Sequence, residues 1–150
     1  MTPLLKGIRV VDLTSVIMGP FATAQLGVLG ADVIKVEPPS GEAVRHIAPM
    51  KTPAMGAGYL NANRNKRSVT LDLKTEEGRA ALDRIIATAD VFVTNMRRKA
   101  TEKLLTTKMS PTMPGKTSVV VDFVGRFTRA AVPACMSFML RTPCAFFLWL

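Results

Sequence analysis

The chain is short of the residues that build metal, redox and disulfide chemistry. Its 150 residues include two cysteines and one histidine. Two cysteines cannot make a disulfide scaffold, and neither stands in a Cys-x-x-Cys or Cys/His cluster of metal-ligand spacing. The lone histidine, His46, lies in a loop segment with no Ser/His/Asp or Cys/His arrangement around it, so nucleophilic triad chemistry is not indicated. Aromatic residues make up 6%, too few to interleave basic residues with stacking platforms, and no nucleic-acid-binding motif is present. Glycine motifs are missing as well. Between the first strand and helix only Gly19 stands where a dinucleotide fingerprint needs Gly-x-Gly-x-x-Gly, which excludes a standard NAD site. Gly115-Lys116-Thr117 resembles the end of a P-loop, but Ser110 occupies the required first glycine position. Acidic residues are also scarce: 11 against 20 Lys+Arg, a net charge of +9.

What is present suits one domain with a buried core. Hydrophobic residues make up 48% and charged residues 21%, which is not the composition of a disordered chain. The composition changes near residue 100. Both cysteines (Cys135, Cys144), Trp149 and five of the seven phenylalanines follow it. The start, Met1 to Gly7, lacks the basic and apolar regions of a signal peptide, so a reducing cytoplasm is the expected location. Ala130–Leu150 is apolar, but Arg141, Pro133 and Pro143 interrupt it. A spanning helix needs ~20 apolar residues, and a central Arg costs ~2.5–3.5 kcal/mol, so no membrane association is expected.

Two strand–helix–strand units are predicted within the first 95 residues. Ile8–Leu13 is β-branched and short, as a buried strand is. Thr14–Gly19 reads as a loop, Pro20 as the first position of a helix over Phe21–Leu29, and Gly30 as its left-handed cap. Asp32–Glu37 is a second strand, stopped by Pro38-Pro39-Ser40-Gly41. Residues 38–67 hold four prolines, three glycines and three asparagines and read as irregular; a loop of that length is usually functional. It ends in a basic cluster, Arg64, Lys66 and Arg67, which is either a solvated face or a holder of phosphates. Ser68–Leu73 alternates as a strand. Thr75 then caps a helix with Glu76 and Glu77 in its first turn. Leu82, Ile85, Ile86 and Ala89 form its buried face. Asp90–Asn95 is a fourth strand. Lys99–Leu105 reads as a short helix and Ser118–Val124 as a strand. The fold class is therefore α/β, a Rossmann-like, mostly parallel sheet with flanking helices. Ligands of such sheets bind beyond the carboxyl ends of the strands, here Thr14–Gly19, Glu37–Gly41, Leu73–Lys74 and Asn95–Arg98. The loop Val16-Ile17-Met18-Gly19 precedes a helix N-terminus, whose free N–H groups favour an anion.

Several blocks carry a family resemblance. They are Leu5 to Thr14 with Gly19-Pro20, Leu26-Gly27 with Leu29 to Pro39, Asn63 to Lys74 with Glu77-Gly78-Arg79, and Ala89 to Asn95. In this order they resemble the start of family III CoA-transferases, the group that includes formyl-CoA transferase, carnitine CoA-transferase and α-methylacyl-CoA racemase. The likeness covers about residues 3–105. It implies the large domain of that fold and an interlocked homodimer. It also implies an enzyme that moves CoA from an acyl-CoA to a free carboxylic acid, with CoA as substrate and no tightly bound cofactor. By the same resemblance CoA is touched by Val16, Ile17 and Met18, by Leu71, Asp72, Leu73 and Lys74, by Asn95, Met96 and Arg97, and by Lys103. The strand ends inferred from topology fall on most of these positions.

The chain also departs from the family. Formyl-CoA transferase has an arginine where Pro38 stands, and Arg45 is the residue at hand to take its place. Pro is usual where Arg98 stands. The family's nucleophile is an Asp that forms acyl anhydride and thioester intermediates, splitting one hard exchange into two easier ones. It lies beyond the resemblance, and Asp122 has unlike surroundings. The expected division is a CoA-binding part over 1–105, incomplete as a large domain and inactive alone, and a divergent tail over 106–150 that reads as out-of-frame or disordered. Two alternatives stand beside this: part of an α-methylacyl-CoA racemase-like isomerase, or a non-enzymatic nucleotide-binding remnant or basic interaction module. No catalytic residue is assigned within the chain. The expected partners are the acyl-CoA and carboxylic acid substrates, not nucleic acid.

Overall fold

A computed structural model describes residues 3–96 together with Ala100, Thr101 and Leu104. Strand β1, Arg9–Leu13, runs through the middle of the molecule and is buried at Val10 to Leu13. Helix α1, Met18–Val28, returns the chain to β2, Asp32–Glu37. A one-turn 3₁₀ helix at Ala43–His46 and the short helix α2, Ala57–Ala62, lead to β3, Lys66–Thr70. Helix α3, Glu76–Ala87, then carries the chain to β4, Val91–Thr94. The sheet has the order β3-β2-β1-β4. Every pair is parallel, with Val10 opposite both Val33 and Val91.

The α3 face of the sheet is apolar. Val11, Leu13, Val36 and Phe92 pack against Leu82, Ile86 and Ala89, with Ile85 half-buried at the edge. Each full burial of a side chain of this size contributes ~1.5–3 kcal/mol, and a second apolar cluster, Val10, Ala31, Val33, Val91 and Val93, is buried on the opposite face. The expected α3 face is thus present, and so is its cap: Gly78 N–H donates to Thr75 Oγ1 at 3.0 Å. Helix α1 lies on the opposite face with small buried residues, Gly19, Pro20, Thr23 and Ala24. It ends as expected at Gly30, whose φ of +102° suits glycine. There Ala31 N–H reaches Leu26 O and Gly30 N–H reaches Gly27 O, each at 3.0 Å, which is a Schellman closure.

Three boundaries differ from the sequence expectation. Helix α1 starts at Met18, ahead of Pro20, because Phe21 N–H already reaches Ile17 O at 2.8 Å. Pro20 falls in the first turn, where a missing N–H still costs nothing. Residues 38–67 are not wholly irregular, since they hold the 3₁₀ turn, α2 and the start of β3. That strand covers Lys66–Thr70 rather than 68–73 because its inward side is polar, and alternation of apolar residues begins only at Val69. Leu71 N–H makes the last rung to Glu37 O at 2.9 Å, where β2 ends. Ala100, Thr101 and Leu104 are helical, within the short helix expected there; the strand expected over 118–124 lies outside the described residues. Among the described residues no helix is long and apolar enough to cross a membrane.

Candidate functional site

The chain leaves β1 toward β2 on one side, while β4 pairs on the other side. Such a reversal opens a crevice beyond the strand ends. The loop after β1 and the loop after β4 meet there. Asn95 clamps Ser15 from both sides: Ser15 N–H donates to Asn95 Oδ1 at 3.0 Å, and Asn95 Nδ2 donates to Ser15 O at 2.8 Å. Val16, Ile17 and Met18 follow with exposed side chains, Val16 and Met18 more than half so. Val16 has φ +71°, a left-handed conformation that a β-branched residue rarely adopts. Its N–H donates to Glu42 Oε1 at 2.6 Å.

Beneath this loop the α1 side of the sheet carries a polar network, beside an apolar cluster of Val10, Val33, Val91 and Val93 against which Leu26 of α1 packs. Asp12, Lys35, Glu37, Lys66 and Ser68 all project to that side, as alternation along each strand requires. Asp12 accepts from Thr23 Oγ1 at 2.6 Å and Lys66 Nζ at 2.8 Å, while Thr14 N–H closes on its other oxygen at 2.9 Å. Lys66 also donates to Pro20 O and Asn63 Oδ1. Its burial draws its pKa below the usual lysine value against the pull of Asp12. Lys35 Nζ donates to Thr14 O at 2.9 Å and lies 2.9 Å from Glu42 Oε2. Arg45 grips Glu37 in a two-point contact, Nε to Oε2 at 2.6 Å and an NH2 nitrogen to Oε1 at 2.8 Å. The guanidinium lies 3.7 Å from the centre of the Tyr59 ring, and Tyr59 and Ser68 hydroxyls also donate to Glu37. Burial works to raise the Glu37 carboxyl, but the hydrogen bonds from Arg45, Ser68 and Tyr59 outweigh it and hold it at about 2. Burial and the Glu37 carboxylate push the Tyr59 hydroxyl well above its ordinary range.

The segment after β3 closes the same rim farther along the sheet. Leu71 and Leu73 rest half-buried on the α3-side core, as does Met96 from the loop after β4. Asp72 is a turn-maker: its Oδ1 accepts Lys74 N–H at 3.0 Å and its carbonyl accepts Thr75 Oγ1 at 2.9 Å. A Cβ at Gly78 would strike that same Asp72 carbonyl, so the turn and the helix start fit only around glycine. Lys74 is exposed at the tip.

A family model described as CoA-transferase family III matches residues 5–111. The chain belongs to this family. Human succinyl-CoA:glutarate CoA-transferase is 44% identical over 92 residues, which cover 61% of this chain and 21% of the human protein. Succinyl-CoA:mesaconate CoA-transferase of Haloarcula hispanica is 42% identical over 103 residues, 66% of this chain and 26% of that protein. The solved structure of a CAIB/BAIF family protein from Brucella suis is 40% identical and superposes with a TM-score of 0.64 over 69% of this chain and 28% of its own. The chain therefore spans about a quarter of the length of the relatives it matches. The parallel sheet with flanking helices is the fold of this CoA-transferase family.

Several sequence expectations meet a different geometry. Arg45 does not stand free to replace the arginine missing at Pro38, because Glu37 and Tyr59 occupy it. The basic cluster does not act as a unit. Lys66 is an interior partner of Asp12, with 2% of its side chain exposed. Arg67 turns to the other face and pairs with Asp32 at the amino end of β2, beside Arg9. Burial works to raise Asp32, but hydrogen bonds from Arg67 and Arg9 hold its carboxyl below the usual range. Asp12 and Asp32 are structural, as expected. His46 is exposed, with its Nε2 3.3 Å from Ser40 O. Arg97, Lys103 and Gly115-Lys116-Thr117 lie outside the described residues. Glu42 was not singled out by sequence reasoning, and nothing local marks it. Lys35 carried a signal: a charge inside the β-branched run of a central strand demands a buried partner.

Proposed function

We propose that residues 1–105 are the CoA-binding part of an enzyme that moves CoA from an acyl-CoA thioester to a free carboxylic acid. The observation that carries this reading is the Asn95–Ser15 clamp. It joins two segments that the family resemblance assigns to CoA, at the crevice where parallel sheets bind ligands. In this reading Val16, Ile17 and Met18 contact CoA along the loop before α1. The N-terminal turn of α1, which has no acidic residue and no side-chain cap, faces its negative charge. Leu71 to Lys74 form a second wall, with Asp72 shaping the turn and Lys74 offering its ammonium group to a phosphate. Asn95 and Met96 form a third, continued by Arg97 and Lys103. CoA acts as substrate, with no tightly bound cofactor, and the family's interlocked homodimer is the expected assembly.

The carboxylates nearest this rim are committed elsewhere. Asp12, Glu37 and Glu42 are buried in ion pairs, and Asp72 holds its own turn. In this reading the three walls bind and orient CoA, and the acyl-accepting nucleophile is a group other than these carboxylates. Calorimetric titration of the chain with CoA tests the reading. Saturable binding that Lys74→Ala weakens by about fivefold, the loss of one exposed phosphate contact, is the expected result. Salt-sensitive DNA binding with no CoA binding would overturn it in favour of a basic interaction module.

A further inference from the structure

We infer that Glu42 is a positioning residue for this site: from outside the CoA-contacting segments, it holds the Val16 loop in its strained, ligand-ready shape. The inference rests on the CoA-binding reading above. Val16 stands at φ +71° without the help of glycine, and a left-handed β-branched residue persists only where its surroundings over-determine it. The restraint is visible. Glu42 Oε1 accepts the Val16 N–H at 2.6 Å. Its other oxygen accepts no hydrogen bond but lies 2.9 Å from the Lys35 ammonium in an ion pair whose side chains are 4% and 1% exposed. Lys35 in turn donates to the Thr14 carbonyl, two residues before Val16. One buried ion pair thus grips both ends of the Thr14–Val16 segment.

The anchor is itself anchored. Glu42 N–H donates to Glu37 Oε2 at 3.3 Å, and Glu37 is held by Arg45, Tyr59 and Ser68. The charged and titratable groups of the surrounding elements, Asp12, Lys66, Glu37, Arg45 and Tyr59, are paired among themselves. A charge-assisted hydrogen bond from a fixed carboxylate is stronger than a neutral one. It places the exposed Val16, Ile17 and Met18 side chains before ligand arrives, so binding need not order them.

Removing Glu42 alone leaves Lys35 buried without its partner, which can unfold the chain. Two charge-free pairs avoid this. Lys35→Met/Glu42→Gln keeps an oxygen within reach of Val16 N–H, whereas Lys35→Met/Glu42→Leu removes it at nearly the same volume. Each is measured for urea stability, for hydrogen exchange at the Val16 amide against the β1 amides, and for CoA binding by calorimetry. The expected result is matched stability, with the Leu pair losing roughly tenfold in Val16 protection and in CoA affinity relative to the Gln pair. Equal Val16 protection and equal CoA affinity in the two pairs would overturn the inference. Failure of the unaltered chain to bind CoA would instead remove the CoA-binding reading. In that case the Val16 exchange comparison decides whether Glu42 holds the loop.

Discussion

On the α3 face, Val11, Leu13, Val36 and Phe92 bury hydrocarbon against Leu82 and Ile86. On the α1 face β1, β2 and β3 carry Asp12, Lys35, Glu37, Lys66 and Ser68, which hydrogen-bond one another and the loops above, beside an apolar cluster of Val10, Val33, Val91 and Val93. The apolar and polar layers do different work. Apolar packing is non-directional, so it stabilises the sheet without specifying where any one loop atom lies. A buried ion pair adds little net stability over a hydrocarbon replacement, yet it demands particular partners at particular distances. The polar network lies under the loop that bears Val16, Ile17 and Met18.

Breaking each face in turn sharpens this contrast. The largest effect is expected on the apolar side: Phe92→Ala should cost ~3–5 kcal/mol by urea unfolding, with CoA affinity of the folded fraction unchanged. On the polar side Lys66→Met leaves Asp12 buried without its ammonium partner. A cost of about 3 kcal/mol is expected, most of it recovered in Lys66→Met/Asp12→Asn, which removes the charge and keeps an oxygen for Thr14 N–H, because the penalty lies in the orphaned charge rather than in the lost pair. Equal stability of the single and double variants would contradict that account. A third perturbation is acid. Glu37 titrates at about 2 in the fold against an ordinary 4.5, so the unfolded chain takes up its proton first as pH falls. Its contribution is complete above pH 4.5 and disappears as pH falls through about 2. Unfolding followed over that window should show a slope that Glu37→Gln reduces. Asp32, also held low, keeps the slope from vanishing.

Much of the fold was legible in the residues. The β-branched runs of β1 and β2, the spacing of Leu82, Ile86 and Ala89, and the Thr75 cap are local signals, and they appear where expected. So does Gly30, because a left-handed cap is decided within one turn. The candidate crevice was legible in outline, since the loops after β1 and β4, inferred from topology, meet through Ser15 and Asn95. Three features were hidden. The start of β3 turns Lys66 and Ser68 toward the α1 side, so no apolar alternation announces it. Helix α2 sits in a stretch that composition marks as loop. The apparent cluster of Arg64, Lys66 and Arg67 dissolves because neighbours along a strand point to opposite faces.

By itself, then, the sequence determined the kinds of elements, the alternation of strand and helix, and membership in CoA-transferase family III. Only the tertiary structure decided that β4 returns beside β1, that Asn95 closes on Ser15 and that Glu42 takes the Val16 amide. Those contacts join residues 80 and 26 positions apart. Side-chain period and propensity act over a turn or a strand. Which distant donor meets which acceptor is set by the packing of helices on the two faces of the sheet.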